Sequence, residues 1–136
     1  MYLLDTNVVS ETRKSRPHGG VVAWLRSVDP AVLFVAAVTV GELQAGAEVT
    51  RRQDLAKASE LDTWIDHVVA VSNLIAADEA VFRAWARLKR GAAKDLFGDA
   101  LIAATARVHG LTVATRNVRD FVRFGVPTLN PFAPAR

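Results

Sequence analysis

Four acidic residues stand apart in this 136-residue chain because each follows an apolar run or opens one. Asp5 ends Met1–Asp5, and Glu42 lies one turn beyond Val32–Val38. Asp99 opens the apolar stretch that runs to His109, and Asp120 follows Leu111–Thr115. Carboxylates gathered this closely repel one another, and either bound protons or a divalent cation must relieve the repulsion. Mg²⁺ or Mn²⁺ suits such a set, because hard cations prefer oxygen ligands and Mg²⁺ keeps several waters when one or two carboxylates hold it. The chemistry available to that arrangement is phosphodiester hydrolysis. The cation acidifies a water, a free carboxylate orients or deprotonates it, and the charge of the transition state is stabilised. Each acid also has a plain structural reading. Asp5 is placed to cap a following helix, and Asp99 to complement a helix dipole. Thr39-Val-Gly-Glu42 and Asn117-Val-Arg-Asp120 both have capping-box spacing.

The elements that must position these acids alternate. Five short apolar runs read as strands: Met1–Asp5, Val32–Val38, His67–Ser72, Leu111–Thr115 and a weaker Val126–Leu129. Their near-continuous hydrophobicity is that of strands covered on both faces, so the fold class is α/β with a parallel sheet. Between them, Val21, Trp24, Leu25 and Val28 mark one helix, and Leu55, Ala58, Leu61 and Ile65 another. Asp78 is the expected N-cap of a third, with Val81, Phe82, Trp85 and Leu88 as its apolar stripe. Asp99–His109 is small and apolar nearly all round, which predicts a buried helix closed by Gly110 in the left-handed region. In such a sheet ligands collect beyond the carboxyl ends of the strands, the edge to which all four acids are assigned.

Length and composition agree with one domain spanning 1–136, with Asn130–Arg136 as a C-terminal tail. Hydrophobic residues make up 51% of the chain, enough for a packed core. No run approaches the length needed to cross a bilayer, and no basic leader precedes the first apolar run, so a soluble, cytoplasmic protein is expected. The absence of cysteine excludes disulfides, a thiol nucleophile and thiolate metal sites. The three histidines show no paired ligand spacing.

Leu3-Leu-Asp-Thr-Asn-Val-Val-Ser-Glu11, Thr39-Val-Gly-Glu-Leu43, Gly98-Asp-Ala-Leu-Ile-Ala-Ala-Thr-Ala106 and Leu111-Thr-Val-Ala-Thr-Arg-Asn117 together resemble PIN-domain proteins. The similarity is greatest to VapC ribonuclease toxins of the FitB-like branch. The resemblance implies a single PIN domain, an α/β/α sandwich around a five-stranded parallel sheet, that cuts RNA with Mg²⁺ or Mn²⁺. Position by position, it implies Asp5, Glu42 and Asp99 as the first three acids, with Asp5 and Asp99 as metal ligands. Where many relatives carry a fourth acid this chain has Asn117, so either Asp120 or a neutral Asn117 completes the site. Asn7 and Thr115 resemble residues that position the acids. The resemblance also implies a VapB-type antitoxin, a homodimer, and an assembly with operator DNA.

With four acids assigned to the pocket, ten remain against 17 cations, leaving about +7 for the surface that nucleic acid would meet. Arg13, Lys14 and Arg16 after the first strand, with Arg116 and Arg119 after the fourth, are the expected rim. A second reading makes the chain a catalytically weak dimerisation and binding subunit of an antitoxin-containing, DNA-binding complex. A phosphatase or phospho-acceptor reading lacks the DxD motif after the first strand and the late-strand lysine that those chemistries need.

Overall fold

The structure is a computed structural model that describes residues 1–90 and 97–134. Its strands are β1 (Tyr2–Leu4), β2 (Leu33–Ala36), β3 (Asn73–Ile75), β4 (Thr112–Ala114) and β5 (Thr128–Leu129). Its helices are α1 (Thr6–Glu11), α2 (Gly19–Ser27), α3 (Ala37–Arg51), α4 (Leu55–Val71), α5 (Glu79–Leu88), α6 (Phe97–His109) and α7 (Val118–Val122). The strands pair in the order β3-β2-β1-β4-β5, all parallel. β1 is therefore central, and the chain reverses its direction of winding there. That reversal leaves a crevice beyond the carboxyl ends of β1 and β4.

Successive strand residues point to opposite faces, which sorts the core into two layers. Leu3, Ala36 and Val113 pack with Ala100, Ile102, Ala103, Ala106 and Phe121 from α6 and α7. Leu4, Val35 and Ala114 pack with Val8, Val9, Val21 and Val68 from α1, α2 and α4. Leu3, Val8, Val113 and Ile102 are completely buried, and each such side chain contributes about 1.5–3 kcal/mol on transfer from water.

The buried helix forms as expected: every residue from Ala100 to Ala106 is buried in α6. Its small side chains let it lie close to the sheet, and Thr105 satisfies its own hydroxyl by donating to the Leu101 carbonyl at 2.8 Å. Gly110 follows at φ +66°. Asp78 caps α5 by accepting from the Val81 amide at 3.0 Å.

Two expected strands are corrected. His67–Ser72 is not a strand: α4 continues to Val71, and β3 begins only at Asn73. The Asp54 carboxylate starts that helix by accepting from Lys57 N at 3.0 Å. Ile65 and Val68 then continue its buried stripe, so the apolar run His67–Val71 extends a helix already under way. β2 likewise ends at Ala36, where α3 begins, instead of reaching Val38. The three tryptophans are partly buried and pack against the core, as their apolar helical faces predict. Among the described residues, no helix is long and apolar enough to cross a membrane. Of the C-terminal tail, residues 135–136 lie outside the described residues.

Candidate active site

Asp5 occupies the first position after β1, and its backbone N–H continues the ladder by donating to the Ala114 carbonyl at 2.9 Å. Its side chain is buried, 3% exposed, between the two central strands. One carboxylate oxygen, Oδ1, accepts from the Thr6 amide at 2.7 Å. The other, Oδ2, accepts from Thr115 Oγ1 at 2.7 Å and from Asn7 Nδ2 at 3.1 Å. Asp5 thus caps α1 and faces the crevice at once; the capping and functional readings describe the same geometry. Burial lifts its pKa above the ordinary value, the three donors oppose that rise, and the charge of Asp120 adds to it.

Glu42 does not form a capping box. Because α3 starts at Ala37, Thr39 already lies inside the first helical turn and is fully buried. Glu42 Oε1 turns toward α1 and accepts from Thr6 Oγ1 at 3.0 Å. A Cβ built on Gly98 would meet Glu42 Oε2 at 3.1 Å, so a residue without a side chain lets this carboxylate lie against the start of α6. Loss of solvation raises the Glu42 pKa, and the Asp5 charge raises it further.

Asp99 lies in the first turn of α6. Burial and then the charges of Asp5, Asp120 and Glu42 push its carboxyl up to about 6. Asp99 therefore feels all three of the other acids, although the four come from separate parts of the chain. The Asn117–Asp120 capping box does not form either: Asn117 stands at the N-cap of α7 without a side-chain cap bond. Its backbone N–H donates to Thr115 Oγ1 at 2.8 Å, so Thr115 ties the α7 turn to Asp5. Asn117 is exposed and Asp120 partly buried.

Among the described residues no group of three Asp, Glu or His side chains is arranged as a ready-made metal cage. The donor set nevertheless fits a hard divalent cation. Mg²⁺ needs only one or two carboxylates when waters complete its shell, and acids whose pKa values are raised by burial and further by one another's charge are the groups a cation would relieve.

The expected cationic rim divides. Arg13 lines a cavity of about 290 Å³ with Thr6, Ser10, Glu42 and Trp64, next to the acids. Lys14 is paired with Glu11, a buried carboxylate that also accepts from His18 N at 2.8 Å, so its charge is largely neutralised. Arg116 is exposed, with its guanidinium carbon 3.9 Å from the centre of the Phe132 ring. Arg16 and Arg119 are exposed.

Thr6, Gly98 and Phe132 escaped the reading of the residues. For the first two the signal was adjacency: each directly neighbours an acid, Thr6 after Asp5 and Gly98 before Asp99. For Phe132 nothing local marked it, because its partners are distant in the chain.

Residues 2–126 match the PIN domain family. The toxin FitB of Neisseria gonorrhoeae (strain ATCC 700825 / FA 1090) is 34% identical, the alignment covering 97% of this chain and 99% of that protein. The VapC ribonuclease Y4jK of Sinorhizobium fredii (strain NBRC 101917 / NGR234) is 32% identical over 99% of this chain and all of its own length. Among solved structures, that of FitAB bound to an IR36 DNA fragment superposes with a TM-score of 0.86 at 31% identity, covering 100% of this chain and 99% of the other. With a central β1 that delivers Asp5 to the crevice and with relatives aligned from end to end, the chain belongs to the PIN-domain family.

Proposed function

We propose that this protein is a Mg²⁺- or Mn²⁺-dependent endoribonuclease, the toxin of a toxin–antitoxin pair, acting in the cytoplasm. The observation that carries the reading is the gathering of Asp5, Glu42, Asp99 and Asp120 at the carboxyl edge of the sheet, close enough for the other three charges to act on Asp99. A site that concentrates negative charge at some cost in stability has a use for a cation. The relatives' names add a ribonuclease and a toxin to that chemistry.

Asp5 and Asp99 would hold the cation, with Glu42 and Asp120 flanking it. When bound, the ion supplies Lewis acidity toward a phosphodiester and lowers the pKa of a coordinated water. The chain's own residues do the rest. Thr115, Asn7 and the Thr6 amide fix the Asp5 carboxylate and leave it little freedom to turn. Thr6 fixes Glu42. A carboxylate left free of the cation, Glu42 or Asp120, is the group suited to orient the attacking water or take its proton. Asp120 completes the acidic set, and the neutral Asn117 orients a water without adding charge.

The partners follow the same reading. A VapB-type antitoxin covers the crevice, and the pair assembles on operator DNA as the FitAB complex does on its DNA fragment. Exposed apolar residues on α4, β3 and α5, among them Val71, Leu74 and Phe82, suit a homodimer contact.

Purified protein should cut single-stranded RNA with Mg²⁺ or Mn²⁺ and stop on chelation, and Asp5→Ala or Asp99→Asn should abolish cutting in a folded protein. The neutral Asn117 at the family's fourth acidic position favours a second reading, a catalytically weak binding subunit. RNA left intact at high enzyme concentration with either metal would select it.

A further inference from the structure

The C-terminal tail is anchored to the start of α2 and to the core layer beneath it by several contacts. The Phe132 amide donates to Asn130 Oδ1 at 2.9 Å, which closes a turn, and the preceding Pro131 is buried. A Cβ on Gly20 would meet the Pro131 carbonyl oxygen at 2.9 Å, so the tail is seated directly on the start of α2. The Phe132 ring packs on the core layer that contains Leu4 and Val21, and meets the His18 ring edge-on at 5.1 Å. His18 is held in turn by Glu11, whose carboxylate accepts from its backbone N–H.

Over this fixed ring lies the guanidinium of Arg116. Arg116 follows Thr115, the residue bonded to Asp5, and its own amide donates to Asn7 Oδ1 at 3.3 Å. Asn7 is itself bonded to Asp5. The arginine is thus tied by its backbone to the same network that holds the catalytic carboxylate, while Phe132 fixes its side chain. Among the described residues it makes no ion pair, although its charge reaches Glu11 and helps hold that carboxyl below its usual range. A guanidinium stacked on an aromatic face keeps its N–H edge free for a planar, bidentate acceptor, and immobilisation lowers the entropy lost on binding.

We infer that Phe132 is a positioning residue that presents Arg116 to a backbone phosphate of an RNA strand lying along the crevice. The inference rests on the ribonuclease reading for its substrate, but its test does not depend on cleavage. A short fluorescent single-stranded RNA is titrated with Asp99→Asn protein in chelator, over a range of salt concentrations. In that background, Arg116→Ala should weaken binding about fivefold to tenfold and lower the slope of log K against log salt by about 0.7, the loss of one phosphate contact on a single strand. Phe132→Leu should reproduce both changes, and Phe132→Tyr, which keeps the ring, should restore them. Combining Phe132→Leu with Arg116→Ala should add nothing further. A purely structural role for Phe132 would instead weaken binding equally with or without Arg116, and that additivity would overturn the inference. An unchanged salt slope in Arg116→Ala would also overturn it, and would leave the arginine to an acidic protein segment. Should Phe132→Leu fail to fold, Phe132→Met supplies the same comparison. If the intact protein cuts no RNA while these binding effects persist, the nuclease reading fails and the role of Phe132 stands.

Discussion

The hydroxyl of Thr115 donates to Asp5 Oδ2 at 2.7 Å across 110 positions of sequence, and its oxygen accepts from the Asn117 amide at 2.8 Å, so one fully buried side chain joins Asp5 to the turn before α7. Thr115→Val keeps the shape but removes both contacts. A buried carboxylate that loses a donor to its charged form titrates higher. The acid limb of the pH–rate profile should therefore move to higher pH, with a larger loss of activity on the acid side of the profile than on the alkaline side. Loss of stability should be about 1–3 kcal/mol, read by denaturant unfolding.

Asp99 makes the metal-free protein sensitive to pH in an unusual direction. Its native pKa of about 6 lies above the ordinary 3.8, so the folded state binds the proton more tightly than the unfolded state. Stability from this group is complete below about pH 4, and is lost as pH rises toward about 6. After allowance for solvent screening the effect is about 1 kcal/mol. Asp99→Asn should accordingly raise the Tm of the metal-free protein at neutral pH by a few degrees. Thermal melts in chelator at acid and neutral pH check this; a lower Tm for Asp99→Asn at neutral pH would contradict it.

Divalent cation should reverse that penalty. Added Mn²⁺ or Mg²⁺ should raise Tm more at neutral pH than at about pH 5, because bound protons compete with the ion for the same carboxylates. Asp5→Ala should remove most of the shift, as differential scanning fluorimetry with and without metal would report.

Asp120 and Asn117 can be separated by substitution. Asp120 influences both Asp5 and Asp99 electrostatically, whereas Asn117 stands exposed at the N-cap of α7. Asp120→Ala should lower cleavage by about tenfold to a hundredfold, the range expected when a partner that tunes a metal site is lost. Asn117→Asp should change cleavage less and should tighten metal binding, measured by titration calorimetry. A severe loss confined to Asn117 variants would assign the fourth position to that residue instead.

Gly98→Ala tests how closely Glu42 must approach α6. The new methyl group would lie 3.1 Å from Glu42 Oε2. The carboxylate is the far end of a flexible side chain, so it can swing aside, and the thermal midpoint should change little. Cleavage should fall, because the carboxylate must shift by a few tenths of an ångström from the position in which Thr6 holds it. Activity and melting temperature measured on one preparation separate the two effects.

Much of the site was legible because its acids mark element boundaries. Asp78 capped its helix as the sequence predicted, and the alanine-rich run from Ala100 could be nothing but buried. The reading failed where local pattern carried no information about what lies across the fold. His67–Val71 is apolar in a way that suits a short strand or the end of a long helix, and the upstream cap at Asp54 decided for the helix. Thr39 and Glu42 have capping spacing, yet α3 starts at Ala37, so Thr39 lies inside the first turn instead of at the cap, and Glu42 turns to Thr6. The bond between Thr6 and Glu42, and the seat of Arg116 on Phe132, each join elements that only the folded chain brings together.

The strand order has a temporal side. β1 leaves the ribosome first, but its neighbour β4 spans residues 112–114, and the seat of the tail comes later still. A growing polypeptide carries Asp5 long before Thr115 exists to hold it, and before Phe132 can steady Arg116. The acidic crevice of such a protein takes its folded form only after the segment carrying Thr115 and Phe132 has been made.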